Sequence, residues 1–255
     1  MQRLARRVTV ARDASVVGCD PVPRSWSILD FVLVWLGGTV ASVVFVTLAG
    51  ALELDQWVLV IGLLGHYTGV LFTFWLLTRF KDDPDVGLAV HGSDLFYMGL
   101  GLIGQLALGL LLLPLSNFLL PDGGPPQVVV DLFAEADTTA VKVALVTSAI
   151  VLTPITEELV YRGILLRALE RWGKRFALVL SALIFAGVHI DGLDMDRLWQ
   201  SAVVVLPPLF ILGLVLGWIT QRSGRLGPAI FLHSGWNLLT AFVLLIPEEV
   251  FDQVS

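Results

Sequence analysis

Glu157 and Glu158 stand side by side in Pro154-Ile155-Thr156-Glu157-Glu158-Leu159-Val160-Tyr161-Arg162-Gly163, and Arg162 follows four residues after the second. The stretch lies inside a long apolar run. On insertion scales a charge held at that depth costs about 2.5–3.5 kcal/mol, so charges there are paired or functional. On a helix Glu158 and Arg162 share a face and neutralise each other. Glu157 points about 100° away and has no local partner. Two distant histidines sit on other apolar runs. His189 closes Phe185-Ala-Gly-Val-His189, and His233 is followed one turn later by Asn237.

A carboxylate beside an imidazole can take a proton from water, which makes water a nucleophile near neutral pH. An imidazole and a carboxamide one turn apart can donate hydrogen bonds to a developing oxyanion, and such donors count for more in a dry site. Together these groups suit amide hydrolysis. Glu157, His189 and His233 also suit Zn²⁺ with an open fourth position. Intramembrane carboxylates and histidines serve equally in a proton or ion relay. The residue types alone leave all three open.

These groups need helices in lipid to hold them. The chain is 56% hydrophobic and 15% charged, against about 45–50% and about 25% for a soluble domain. The excess falls in runs of about twenty residues, enough to cross a hydrocarbon core of about 30 Å. The expected fold is all-α, a polytopic bundle with spans at 27–52, 57–79, 95–120, 140–171, 176–190, 199–221 and 228–247. The first run is longer than the 7–15 residues of a signal core and reads as an uncleaved span. No loop is long enough for a separate soluble domain. The expected organisation is a basic tail at 1–25, one transmembrane domain at 26–247 with its catalytic core in 140–247, and a short tail at 248–255. Residues 128–136 suit either a short interfacial helix or an irregular loop.

Charge tests this count. Arg3, Arg6, Arg7, Arg12 and Arg24, then Arg79 and Lys81, then Arg167, Arg171, Lys174 and Arg175, then Arg222 and Arg225 fall on one side. Lys142 and Arg197 fall on the other, and Arg162 lies within the membrane. Basic loops stay cytoplasmic, so the amino terminus is expected inside and the carboxyl terminus outside a cell membrane. One cysteine, Cys19, excludes an intrachain disulfide and a thiolate zinc cluster. No phosphate-cradling glycine loop follows a strand, and no nucleic-acid partner is expected. Nor are there paired interrupted helices in two related halves, which weighs against a transporter.

Rise per residue sets the depths. Equal lengths down from Glu157 and up to His189 return His189 to the level of Glu157, and His233 enters the seventh span by about 9 Å. The groups can therefore meet in the cytoplasmic half of the bilayer.

Glu157-Glu158-x-x-x-Arg162, Phe185-x-x-x-His189 and His233-x-x-x-Asn237 resemble, in order, the three motifs of the CAAX protease and bacteriocin-processing family of intramembrane endopeptidases. The likeness covers about 140–247, with Tyr161 where Phe is usual and Thr153 where Ala is usual. It implies that Glu157 activates water with His189, that His233 and Asn237 form the oxyanion site, and that Glu158 and Arg162 support the helix pair. It also implies a metal-free, glutamate-type hydrolysis of a membrane-embedded or lipidated peptide substrate, without a cofactor. A zinc-dependent version is the alternative among enzymes. A non-catalytic scaffold or immunity protein with the same fold is the alternative outside them.

Plainer roles fall to other residues. His66 reads as a core or interfacial histidine and His91 as a solvated one. Gln105 and Asn117 are candidates for joining helices. Trp26, Trp57, Trp172 and Trp199 sit near span ends and fit an interfacial belt.

Overall fold

The computed structural model describes residues 25–121, 136 and 138–245, and every regular element among them is helical. Cys19, the basic tail, the 128–136 segment and the carboxyl-terminal tail lie outside the described residues, apart from Ser25 and Ala136 at their edges.

Seven long helices follow one another. They are α1 (Ile28–Ala51), α2 (Val58–Thr78), α3 (Leu95–Leu119), α4 (Thr139–Trp172), α5 (Lys174–Gly187), α6 (Leu198–Ser223) and α7 (Gly227–Leu245). A 3₁₀ turn at Val188–Gly192 extends α5. Among the described residues, the first six, with their flanking turns, are long and apolar enough to cross a membrane. The centre of α7 carries His233, Asn237 and Thr240, polar groups whose partners are found inside the bundle.

Local sequence starts the first helix. Ser27 caps α1, its hydroxyl accepting from the Asp30 amide while Asp30 accepts from the Ser27 amide at 2.7 Å. Reciprocal capping of this kind satisfies two donors that a helix start would otherwise leave bare. α1 and α2 form a tight hairpin because glycine lets the backbones approach. A Cβ on Gly69 would press on the Ala41 side chain at 2.6 Å.

The buried centre lies between α4, α5, α6 and α7. Leu159, Ile164, Leu165, Phe185, Leu212, Leu216 and Leu226 are almost wholly enclosed there. α3 instead leans on α7, where Gly101 meets the Leu232 backbone and Gly235 meets the Met98 backbone. Gln105 Nε2 donates to Thr240 Oγ1 at 2.6 Å, joining these two helices as expected. Asn117 is exposed.

The basic connections gather at one end. Lys81 Nζ reaches Asp30 Oδ2 at 2.6 Å, tying the end of α2 to the start of α1. The Leu226 amide donates to the Gly87 carbonyl at 2.7 Å, and Arg225 grips Asp94 through two bonds of 2.6 and 2.7 Å. Arg167 on α4 donates to the Asp85 and Gly224 carbonyls at 3.3 and 3.4 Å. Gly87 has φ +71, which a residue with a Cβ adopts only at a cost. Bonding to Asp94 raises the proton affinity of Arg225 further, so the pair stays charged. The 2–3, 4–5 and 6–7 connections thus share one face, as the charge alternation requires. His91 is exposed on that face, as expected.

The tryptophan belt is only partly present. Trp172 and Trp199 are exposed at helix ends, but Trp26 is buried, stacked on Phe74 at 5.3 Å between centroids. The Lys81 ammonium over its ring holds it inside rather than at the interface.

Candidate active site

α4 is not a uniform α-helix. It runs in π geometry at Ser148–Leu152, as α-helix at Thr153–Glu158, and in π geometry again at Leu159–Leu166. Short π stretches inside helices recur at functional sites. Pro154 supplies a local reason for the first. The Thr153 amide bonds the Ser148 carbonyl, five residues back, so the next donor in that register would be residue 154. Proline has no amide hydrogen, and the Ala149 carbonyl needs another partner. Asn237 Nδ2 on α7 provides it at 2.8 Å.

The two glutamates occupy different surroundings. Glu158 is fully buried, and its Oε1 accepts from Arg162 at 2.9 Å. Arg162, also buried, donates further to the Gly213 carbonyl on α6 at 3.3 Å and lies 4.3 Å from the centre of the Phe185 ring on α5. This one cation therefore joins α4, α5 and α6. Glu158 Oε1 also lies 2.9 Å from His233 Nδ1. Spacing indicates the Glu158–Arg162 pair. It gives no hint that Glu158 also orients His233.

Glu157 turns the other way. Its side chain is 26% exposed, yet Oε2 is buried and has no hydrogen-bond partner. That oxygen lies 3.7 Å from His233 Nε2. His233, 3% exposed, thus stands between the two carboxylates, one at each ring nitrogen. Facing a carboxylate engaged with Arg162, Nδ1 acts as the donor. In the neutral ring this leaves the Nε2 lone pair towards Glu157.

His189 is held differently. Its Nδ1 lies 2.8 Å from the Phe185 carbonyl. A carbonyl only accepts, so Nδ1 carries the proton and Nε2 of the neutral ring is an acceptor. Phe185 packs edge-on against both imidazoles, with centroids 5.1 Å from His189 and 5.8 Å from His233. The structure thus brings Glu157, Glu158, Arg162 and His233 into contact, with His189 across one phenyl ring. Asn237 is engaged with Ala149. The imidazole in contact with Glu157 is His233.

α2 adds a group that the sequence gave no reason to choose. Tyr67 Oη lies 2.7 Å from Thr153 Oγ1, one turn before Glu157. His66 beside Tyr67 is half-buried. No signal in Tyr67 itself, an apolar-run tyrosine, marks it for this place.

Among the described residues no three His, Cys, Asp or Glu side chains are gathered as metal donors. With His189 Nδ1 turned to a carbonyl and His233 Nδ1 to Glu158, Nε2 of each ring is the atom left to accept a proton or a metal.

No curated protein and no solved structure matches the chain. Residues 139–239 match the family model described as type II CAAX prenyl endopeptidase Rce1-like. That segment contains both glutamates, Arg162, His189, His233 and Asn237. From α4 to α7, this multi-pass helical chain is similar to the Rce1-like CAAX proteases.

Proposed function

We propose that the protein is an intramembrane endopeptidase that hydrolyses a peptide bond of a membrane-embedded or lipidated substrate, using water deprotonated by Glu157. The observation that carries this reading is the buried, unpartnered Glu157 Oε2, 3.7 Å from a histidine fixed by a second carboxylate. Water attacks the scissile carbonyl carbon and gives its proton to Glu157. The C–N bond then breaks as the leaving amine takes a proton. His233, pinned at Nδ1, is positioned to exchange that proton with Glu157 through Nε2. The second amide hydrogen of Asn237 and the acceptor nitrogen of His189 complete the polar lining as oxyanion and water contacts. Arg162 and Glu158 hold His233 and do not react. The protein's place is the cell membrane, with the amino terminus and the basic connections cytoplasmic.

Purified protein is tested against prenylated and transmembrane peptides, with peptide products read by mass spectrometry. Cleavage by the wild type and none by Glu157→Ala supports hydrolysis. Undiminished cleavage after exhaustive chelation favours a water activated by Glu157 alone. Equal product patterns from wild type and Glu157→Ala, on these peptides and in membrane peptides from cells, would leave a non-catalytic membrane protein.

A further inference from the structure

Two adjoining cavities of about 490 and 330 Å³ share Leu100, Val215 and Leu232. They form one groove between α3 and α6, floored by α7. It exists because α3 is braced against α7 and has little contact with α6. Gly104 leaves the Trp236 ring uncovered as part of the floor. The groove lies behind the candidate active site. His233 and Asn237 face α4 through Glu158 and Ala149, whereas Leu232 and Trp236, each one residue earlier, line the groove.

Its two ends differ. Towards Leu108, Leu111 and Ile211 the walls are wholly apolar. The other end carries Tyr97, Arg222 and Ser223, and no acidic side chain is among the described residues lining it. The Ser223 hydroxyl already donates to the Arg225 carbonyl at 2.9 Å, and Arg225 is engaged with Asp94. Arg222 is exposed, with its guanidinium 5.3 Å from the Trp218 ring centre, at the mouth. From Ile211 to Arg222 the helix rises about 16 Å. That is about half of a hydrocarbon core of about 30 Å, the depth of one leaflet. This end also carries the basic connections, the side where anionic lipid headgroups attract cations.

We propose that this groove binds one anionic phospholipid of the bilayer, with an acyl chain along α3 and α6 and its phosphate at Arg222. The apolar length, the leaflet-matched depth and Arg222, the one cation among the described residues lining the polar end, together select this ligand. The site is independent of the proteolytic reading.

The test uses the full chain, purified in mild detergent and titrated with phosphatidylglycerol or phosphatidylcholine, with bound lipid counted by native mass spectrometry. One phosphatidylglycerol per chain is expected, held in preference to phosphatidylcholine. Val215→Trp, which fills the groove, is expected to abolish that bound lipid. Arg222→Gln keeps the groove and is expected to cut the preference for phosphatidylglycerol roughly fivefold, the worth of one cation near a headgroup. Thermal midpoints of both variants establish that they fold. Equal retention of the two lipids by the wild type, or unchanged retention by a folded Val215→Trp protein, overturns the proposal. A farnesylated peptide that displaces phosphatidylglycerol from the wild type also overturns it, because the groove would then receive the substrate's lipid.

Discussion

α3 and α4 look alike by apolar length, and each carries an internal proline, Pro114 and Pro154. Their fates differ. In the most apolar stretch of each, 6% of the α3 residues and 22% of the α4 residues are buried. Pro114 sits in a helix that is largely exposed beyond its contact with α7, whereas Pro154 follows one π turn, lies in an α segment with two glutamates, and is followed by another π turn. Apolar length is enough to put a helix in a membrane. It does not decide which helix the others pack around. Charges that cannot stay bare decide that. Arg162 draws in the Gly213 carbonyl of α6 and the Phe185 face of α5, and Glu158 draws in His233 of α7.

The contrast breaks most sharply at Glu157. Glu157→Gln keeps the side-chain shape but cannot take a proton. Peptide hydrolysis is expected to fall by about 10²–10⁴-fold, with a thermal midpoint close to wild type. A variant with wild-type turnover would remove Glu157 from the chemistry. Arg162→Ala should act on the fold instead. It leaves Glu158 buried and short of its cation, at a cost of about 3 kcal/mol, the low end for a broken buried pair because His233 still reaches that oxygen. A lowered midpoint and poor yield are expected, and an unchanged midpoint would show that α4 does not organise the bundle through this pair.

Smaller changes sharpen the same comparison. Tyr67→Phe removes the hydroxyl shared with Thr153 and should cost about 1 kcal/mol, the net worth of one such bond, measured as a shift in the unfolding midpoint. Phe118, 81% exposed on α3, should matter least. Phe118→Ala is expected to change stability by less than about 0.5 kcal/mol. A large loss there would mean that α3 has a partner along its outer face.

Residues close in sequence made their contacts legible. The i,i+4 rule anticipates Glu158–Arg162, and an amide in an apolar run anticipates Gln105 joining two helices. The alternation of basic connections anticipates that they share one end. What could not be read depends on a register the sequence does not announce. The π turn at Ser148–Leu152 changes which carbonyl Pro154 leaves without a donor, and so ties Asn237 to Ala149. Trp26 reads as an interfacial residue until Phe74 and Lys81 enclose it.

By itself the sequence determined a helical membrane bundle, its run of spans, and the short set of polar residues that lipid would not tolerate without purpose, because transfer cost depends on residue type and run length alone. Only the tertiary structure decided that His233 stands between the two glutamates while His189 is turned to a carbonyl. Those contacts join residues far apart in the chain, and they depend on helix rotation and packing, which no local spacing encodes.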